Sequence, residues 1–260
     1  MVLICLSGIE YLEHINTQLQ SLAHTDMLDV QPMVDAINKI LTFTTDATNP
    51  EPTDNDYSLA GIDGVDSDNL SEINQQVVAQ SIITVNAIRT LTQSMNVIRF
   101  YADGNSQQAP TAEDYRSIGI VDITEEKLAE INQQVEEQTL QTVNGIQTVL
   151  NSLNIIRAYA EGNSLDAPSV DDYQIAGVQD VTNENLADIN QQVGVDEQSL
   201  ATVNEIRTLT GSINAIRAYA EGNRFEAPTV DDYQIAGVQD VTDENLADIN
   251  QQVGVDEQSL

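Results

Sequence analysis

Residues 167–193 read APSVDDYQIAGVQDVTNENLADINQQV, and residues 227–253 repeat them as APTVDDYQIAGVQDVTDENLADINQQV. Earlier copies of the same pattern open at Pro52 and Pro110, so the four opening prolines lie 58, 58 and 60 residues apart. Self-similarity at a fixed period is typical of an array of small modules. The sequence therefore predicts tandem repeats.

The period divides the chain into five segments. Residues 1–51 resemble the later part of a degenerate copy, and residues 228–260 are a truncated fresh one. Three full repeats lie between them, at 52–109, 110–167 and 168–227. Each is near the lower size at which a domain folds alone. Since the chain enters and leaves the pattern in mid-repeat, we expect it to be a fragment of a longer repetitive protein.

The first helix predicted in repeat 168–227 is short. Ser169 is a suitable N-cap, Asp172 is the matching capping-box partner, and Gly177 is a natural helix stop. Acidic residues in the first turn also favour a helix start. The same pairing recurs as Thr111/Asp114 and Thr229/Asp232.

A second helix is predicted to begin at Thr182 and to end at Gly194. Leu186, Ile189 and Val193 recur at spacings of three and four, which places them on one helix face. Copies that lack the glycine are two residues shorter, which places this length difference in a loop.

The third predicted helix is the longest, with apolar residues at helical spacing from Leu200 to Tyr219 and a stop at Gly222. About 24 residues would give a rod of roughly 36 Å. Strand signals are weak throughout. The fold class is therefore predicted as all-α: tandem three-helix bundles of 58–60 residues, stacked into an elongated array. Independent bundles and a continuous α-solenoid are both compatible with the pattern.

The charge balance excludes several classes of partner. The chain has 42 acidic and 9 basic residues, for a net charge of −33. Such a chain repels nucleic acid and anionic membrane surfaces, and it tends to stay monomeric. We expect no nucleic-acid partner and an elongated monomer with a solvated acidic surface. Discrete Ca²⁺ sites are the alternative interpretation.

The acidic links between repeats are the best Ca²⁺ candidates, because Ca²⁺ prefers clustered oxygen donors. None of them has the spacing of an EF-hand loop, and helix-start electrostatics explains their aspartates equally well. We therefore predict no metal site and no cofactor, with Ca²⁺ as the alternative. The candidate links are Asp103-Gly-Asn105 with Glu113 and Asp114, and Glu221-Gly-Asn223 with Asp231 and Asp232.

Catalysis is not expected. Cys5, His14 and His24 all lie before the regular repeats, so neither a disulfide framework nor a Cys/His zinc cluster is predicted. The carboxylate pair Asp171-Asp172 could supply an acid and a base, but no nucleophile accompanies it and it recurs in the next copy. We predict a non-enzyme without catalytic or cofactor-binding residues.

The N-terminal sequence does not predict a signal peptide. The apolar start, residues 1–9, lacks a basic region and a cleavage site. No apolar run reaches 18 residues, so no membrane insertion is expected.

Other polar residues also recur once per repeat. The tyrosines are interpreted as core residues with outward hydroxyl groups, with a ligand platform as the alternative. The asparagines are interpreted as satisfying backbone groups, with partner contact as the alternative. The arginines are expected to form ion pairs within the chain. These residues are Tyr57, Tyr115, Tyr173 and Tyr233; Asn74, Asn132, Asn190 and Asn250; Asn86, Asn144 and Asn204; and Arg89, Arg99, Arg157, Arg207 and Arg217.

The string DDYxxAGV…VTxxNLxxIN, preceded by Ala-Pro, resembles the GA-like three-helix domains of very large bacterial surface proteins. The resemblance covers residues 52–260 well and 10–51 weakly. It implies an exported, multi-repeat protein of the adhesin or biofilm type, and an extracellular or cell-surface location. It does not imply albumin binding.

From these observations we predict a non-enzymatic spacer or stalk segment of such a surface protein. Two alternatives stay open: an array of binding modules that captures an unidentified extracellular host or matrix protein, and a Ca²⁺-stiffened linker. Residues 155–200 and 215–260 differ at six of 46 positions, four of them in the link or at the short-helix start. If the repeats bind a partner, we expect specificity to vary there, for example between Ser164–Asp166 and Arg224–Glu226.

Overall fold

The structure is a computed structural model that describes residues 27–194, 202–223 and 226–254. These residues form twelve helices and no strand, which confirms the all-α prediction. The chain divides into two compact units, residues 1–145 and 146–260. The repeat boundaries stay predictions from the sequence period, as does the grouping of the helices into three-helix bundles.

The described residues of the first unit, 27–145, form six complete helices. They are α1 (Met27–Thr45), α2 (Asp54–Leu59), α3 (Leu70–Ala79), α4 (Val85–Ala102), α5 (Ala112–Ser117) and α6 (Glu125–Glu137). Helix α7 (Val143–Ala160) begins in this unit and lies mostly in the second.

The described residues of the second unit form five further helices. They are α8 (Val170–Ile175), α9 (Leu186–Val193), α10 (Val203–Ala220), α11 (Val230–Ile235) and α12 (Leu246–Val253). In residues 52–109, 110–167 and 168–227 the helices follow one another as short, medium and long, which is the order that the sequence predicts.

All four described short helices open with a capping box, and three of these boxes were predicted. In α8 the Ser169 hydroxyl accepts a hydrogen bond from the backbone N–H of Asp172, and the Asp172 carboxylate accepts one from the backbone N–H of Ser169. The chain then leaves the helix through Gly177, whose φ of 90° is open to glycine at little cost. Equivalent boxes open the other short helices at Thr53/Asp56, Thr111/Asp114 and Thr229/Asp232.

The medium helix α9 is shorter than predicted. The Asn185 side chain accepts a hydrogen bond from the backbone N–H of Thr182 at 2.8 Å, which closes a turn over residues 183–185. The helix therefore begins at Leu186 and not at Thr182, and it ends at Gly194 as predicted.

The long helix α10 is also shorter than predicted. It has 18 residues, about 27 Å of helix, and it begins after a capping box formed by Thr202 and Glu205. The predicted start at Leu200 lies outside the described residues. The apolar stripe is confirmed along its core-facing side, because Ile206, Leu209 and Ile213 are buried.

The long helices organise the packing within each unit. Helix α1 packs against α2 and α3, α4 packs against α3, α5 and α6, and α10 packs against α9 and α11. Both α4 and α10 therefore contact the medium helix that precedes them and the short helix that follows them. The repeats that meet at Pro110 and at Pro228 share a long helix across the predicted boundary.

Helix α10 offers a test of how far backbone entropy limits stability. Gly211 lies inside the helix, and a Cβ added there would meet no atom within 4 Å. We predict that Gly211→Ala raises the free energy of unfolding by about 0.5–1 kcal/mol, because alanine loses less backbone entropy in a helix. Thermal or urea unfolding followed by circular dichroism measures the change.

Gly222→Ala is the matched control. A Cβ at Gly222 would also meet open space, but its φ of +69° is unfavourable for alanine, so this variant should lose about 1 kcal/mol. If the free energy of unfolding rose in both variants, the difference in φ between Gly211 and Gly222 would not decide the effect of alanine.

Candidate functional site: the junctions around the long helices

Each repeat contains the same buried cluster of a proline carbonyl, a tyrosine and an asparagine. In the third repeat the Tyr173 hydroxyl donates to Asn190 Oδ1 at 2.7 Å, and Asn190 Nδ2 donates to the carbonyl of Pro168 at 3.0 Å. Tyr173 is fully buried. The other copies have the same bonds within 0.1 Å of these lengths, at Pro52/Tyr57/Asn74, Pro110/Tyr115/Asn132 and Pro228/Tyr233/Asn250.

This cluster decides between the interpretations of two residue sets. The tyrosine rings pack in the core as predicted, but the prediction of an outward hydroxyl is wrong, because the hydroxyl is bound to the asparagine. The asparagine satisfies a backbone carbonyl, as its structural interpretation predicted. Burial raises the pKa of the tyrosine hydroxyl in all four copies, since the phenolate would lose its hydration.

One side of α4 and one side of α10 bind main-chain carbonyls of the same repeat. Arg89 on α4 donates to the carbonyl of Gly61 from Nε at 3.2 Å and from Nη2 at 3.0 Å. Asn96, two helical turns further on, donates to the carbonyl of Gly64 at 2.8 Å and accepts from Asn69 at 2.8 Å. Gly61 and Gly64 both have a positive φ. Their carbonyl oxygens face α4, where they accept these hydrogen bonds.

The same arrangement recurs on α10. Arg207 Nε donates to the carbonyl of Gly177 at 2.9 Å, and Asn214 donates to the carbonyl of Asp180 at 3.1 Å. Asn185 donates to Asn214 at 2.7 Å, as Asn69 does to Asn96. Asp180 has a φ of 63°, a conformation that aspartate tolerates better than most residues.

Helices α1, α4 and α10 each bind the capping aspartate of the short helix that follows them. Ser94 on α4 donates to Asp114 at 3.1 Å, and Ser212 on α10 donates to Asp232 at 3.3 Å. Alanine replaces this serine in α1, where Lys39 instead reaches Asp56 at 2.5 Å. The capping aspartate is therefore shared between its own helix start and the neighbouring repeat.

The C-terminal end of α10 makes a second forward contact through an aromatic ring. A Cβ on Gly254, which follows α12, would lie 3.2 Å from the ring of Tyr219. The same relation holds between Tyr159 on α7 and Gly194 after α9, at 3.0 Å. Glycine thus leaves room for the tyrosine of the preceding long helix, a role that the sequence analysis did not assign to these tyrosines.

The expectation that the arginines form ion pairs holds for some of them. Arg99 forms two bonds with the Asp66 carboxylate, at 2.8 and 2.9 Å, and these bonds lower the pKa of Asp66 to about 2. Arg217 lies 3.4 Å from Asp188. Arg89 binds the Gly61 carbonyl and Asn86 instead of a carboxylate, and Asn204 accepts from Arg207 in the same way.

The acidic links form helix starts and local bonds. Asp114 is held by Thr111 and Ser94, Glu113 pairs with Arg116, and Asp103 accepts from Gln141. Asp171 is exposed beside the capping residue Asp172. Within residues 27–194, 202–223 and 226–254, no three His, Cys, Asp or Glu side chains lie close enough to hold a metal ion together. The prediction of no metal site and its alternative, Ca²⁺ binding, both stay predictions.

Several predicted features lie outside the described residues. They include Cys5, His14, His24 and the variable link residues Arg224 and Phe225. Among the helices that the structure describes, none has the length and apolar character needed to cross a bilayer.

The chain matches no protein-family model, no curated protein and no solved structure. The geometry itself therefore carries the functional argument. The element that recurs in α4 and α10 is a long helix that binds main-chain carbonyls on one side and a capping aspartate on the other. What this arrangement does chemically is to hold one repeat against the next.

The buried cluster predicts a specific stability loss. Tyr173→Phe leaves the buried Oδ1 of Asn190 without its donor, so the free energy of unfolding should fall by about 1–3 kcal/mol at neutral pH. Tyr219→Phe, which removes the hydroxyl of a half-buried tyrosine, is the control and should change it by less than about 0.5 kcal/mol. Urea unfolding of both variants measures the difference.

The loss in Tyr173→Phe should shrink at alkaline pH. Burial raises the pKa of Tyr173 in the folded chain, whereas an unfolded tyrosine ionises near pH 10. The protonated hydroxyl therefore contributes its full stability below about pH 10 and loses it as the pH rises further. Phenylalanine has no such dependence, and an equal deficit at pH 7 and pH 10.5 would contradict the buried hydroxyl.

Proposed function

We propose that the chain is a non-enzymatic spacer, a stalk segment of a large bacterial surface or secreted protein of the adhesin type. One observation carries the proposal: α4 and α10 each bind both their own repeat and the repeat that follows it. A spacer must resist separation of its modules, and a helix shared by two modules supplies that resistance. Modules joined only by flexible linkers would not resist separation in this way.

The contacts of α4 support this proposal step by step. Pulling repeat 52–109 away from repeat 110–167 would break the bond between Ser94 and Asp114 on the forward side of α4. Three contacts hold α4 in its own repeat. Arg89 donates to the Gly61 carbonyl, Asn96 donates to the Gly64 carbonyl, and Arg99 forms an ion pair of two hydrogen bonds with Asp66. Force applied to one repeat is therefore passed to the next through buried or half-buried side chains.

The charge and the resemblance support the location. A net charge of −33 keeps repeated modules soluble and separate from one another at high local density. The likeness of the repeated string to GA-like domains supports an exported protein on a bacterial surface. We accordingly place the chain outside the cell, where a spacer would hold another part of the same protein at a distance.

Single-molecule stretching between two handles tests the mechanical part. If α4 couples its two repeats, they should unfold in a step that releases more than one repeat, which is more than about 200 Å of extended chain. Asn96→Ala should divide such steps or lower their force, because it removes the bonds to Gly64 and Asn69. Gln93→Ala, an exposed change on the same helix, is the control and should leave the steps unaltered.

Independent steps of one repeat each in the unaltered chain would contradict the coupling. A different result would replace the spacer by a binding array: specific enrichment of one extracellular protein on immobilised chain, with avidity that grows with repeat number.

Cell fractionation tests the location. An antibody raised against residues 168–227 should detect the protein in the surface or secreted fraction of the source cells, by immunoblot. The control is an antibody against a cytosolic marker. A signal confined to the cytosol would overturn the proposed surface location, whatever the stretching experiment shows.

A further inference from the structure

The border between the two compact units does not coincide with a border between sequence repeats. It lies between Gly145 and Ile146, in the first turn of the long helix α7. Pro110 lies well inside the first unit and Pro168 well inside the second. The medium helix α6 therefore belongs to the same compact unit as α4, whereas α7, the long helix of the same sequence repeat as α6, lies mostly in the other unit.

The packing of the helices gives the same grouping. Helix α1 packs against α2 and α3, and α4 packs against α5 and α6. Each of these two long helices thus contacts both the short and the medium helix that follow it. We call a long helix together with the next two helices an offset module. The offset modules span Met27–Ala79, Val85–Glu137, Val143–Val193 and Val203–Val253.

A tyrosine in the last turn of the long helix reaches the medium helix of the same offset module. On α4, the Tyr101 hydroxyl donates to Glu136 of α6 at 3.3 Å. On α7, a Cβ at Gly194 after α9 would lie 3.0 Å from the ring of Tyr159. Tyr219 on α10 has the corresponding place at the end of α12. The contact joins the first and the last helix of each of these three offset modules.

The lengths of the links place the variable point of the chain between offset modules. Nine residues separate α4, α7 and α10 from the short helices that follow them. Five residues separate α3 from α4 and α6 from α7, whereas nine separate α9 from α10. Borders between domains fall in linkers, where a change of length costs little. The links that precede the long helices have this property.

Hydrogen bonds from polar side chains join α4 to the offset module before it. We call the donor side chains the polar junction; they are Arg89, Asn96 and Arg99. All their acceptors named above lie in the turn between α2 and α3, residues 60–69. Interfaces between domains are more polar than the cores of domains. The polar junction therefore has the character of a contact between modules.

We infer that the offset module is the unit that folds, and that the polar junction is the surface by which one module binds the module before it. The partner on this surface is another copy of the module in the same chain, which is recognised through the main-chain carbonyls and the carboxylate of one turn. The inference goes beyond the spacer function, because it states which helices fold together whatever the array does.

Hydrogen exchange of the full 260-residue chain tests the grouping, with Ile131→Val as the variant. Ile131 on α6 is fully buried. Loss of one buried methyl group should speed exchange in α6 and α4 together by roughly three- to tenfold, because the two helices open as one cooperative unit. Helix α7, which shares the sequence repeat 110–167 with α6, should keep its rate.

Val121→Ala is the matched control for this variant. Val121 lies in the link between α5 and α6 and is 71 % exposed, so exchange in α4, α6 and α7 should stay unchanged. Mass spectrometry can follow α4 and α7 separately, because their sequences differ. Valine is a mild replacement for isoleucine, and circular dichroism should show both variants folded.

Asn96→Ala tests the polar junction in the same experiment. Loss of the bonds to Gly64 and Asn69 should speed exchange in α3 roughly threefold, because α3 belongs to the preceding module. Helix α6, which packs against the same long helix, should keep its rate. Gln93→Ala, an exposed change on α4, should alter neither helix.

Several outcomes would overturn the inference. For Ile131→Val they are faster exchange in α7 with α4 unchanged, equal acceleration of α4 and α7, and acceleration confined to α6. The first would show that the sequence repeat folds as the unit, and the others would show that no border separates α6 from α7 or that no module forms. For Asn96→Ala, an acceleration of α6 at least equal to that of α3, or no change in α3, would remove the polar junction.

Discussion

The interaction on which the rest of the structure depends is the buried carboxamide of the Ile-Asn-Gln-Gln motif. In the third repeat Asn190 accepts from the Tyr173 hydroxyl and donates to the Pro168 carbonyl. The short helix α8 has six residues, too few to be stable in isolation. It is held because one side chain of α9 binds both its central tyrosine and the residue before its cap. The asparagine carboxamide supplies both an acceptor and a donor without charge.

Once the short helix is fixed, both of its ends become recognition elements. In α2 the capping residue Asp56 receives Lys39 from α1, while the carbonyl of Gly61 beyond the other end receives Arg89 from α4. A helix of six residues therefore connects two long helices. The packing between repeats therefore depends on the packing within a repeat. Both depend on the buried asparagine that holds the short helix in place.

Much of this architecture could be read from the sequence. The capping boxes, the glycine stops and the apolar stripe of α10 depend on local chemistry, which recurs visibly with the period. The turn that delays α9 could not be read so easily, since Thr182 is a good N-cap and only the Asn185 side chain shows that the helix begins later. The charge balance also gave a wrong prediction for one arginine. Arginine in an acidic chain suggests an ion pair, but Arg89 binds the main-chain carbonyl of Gly61.

The contacts between the long helices and the main-chain carbonyls also have a signal in the sequence, which appears only when the repeats are compared. The string Asn-x-Ile-Arg recurs at 96–99, 154–157 and 214–217, always on the long helix. Its asparagine binds the carbonyl of Gly64 in one copy and of Asp180 in another. What residue-by-residue interpretation does not supply is the partner of that asparagine, because two different residue types, Gly64 and Asp180, accept its hydrogen bond in the two copies.

The choice of carbonyls as acceptors has a physical consequence for so acidic a chain. A pair such as Arg99 and Asp66 weakens when the carboxylate is protonated, and exposed pairs also weaken when salt screens them. A main-chain carbonyl does not titrate, and a hydrogen bond to it is less affected by screening. Arg89 and Arg207, which bind carbonyls, therefore hold the long helices under conditions that would loosen ion pairs. These bonds keep each of the two long helices attached to its own repeat while the surface charge of the chain varies with its surroundings.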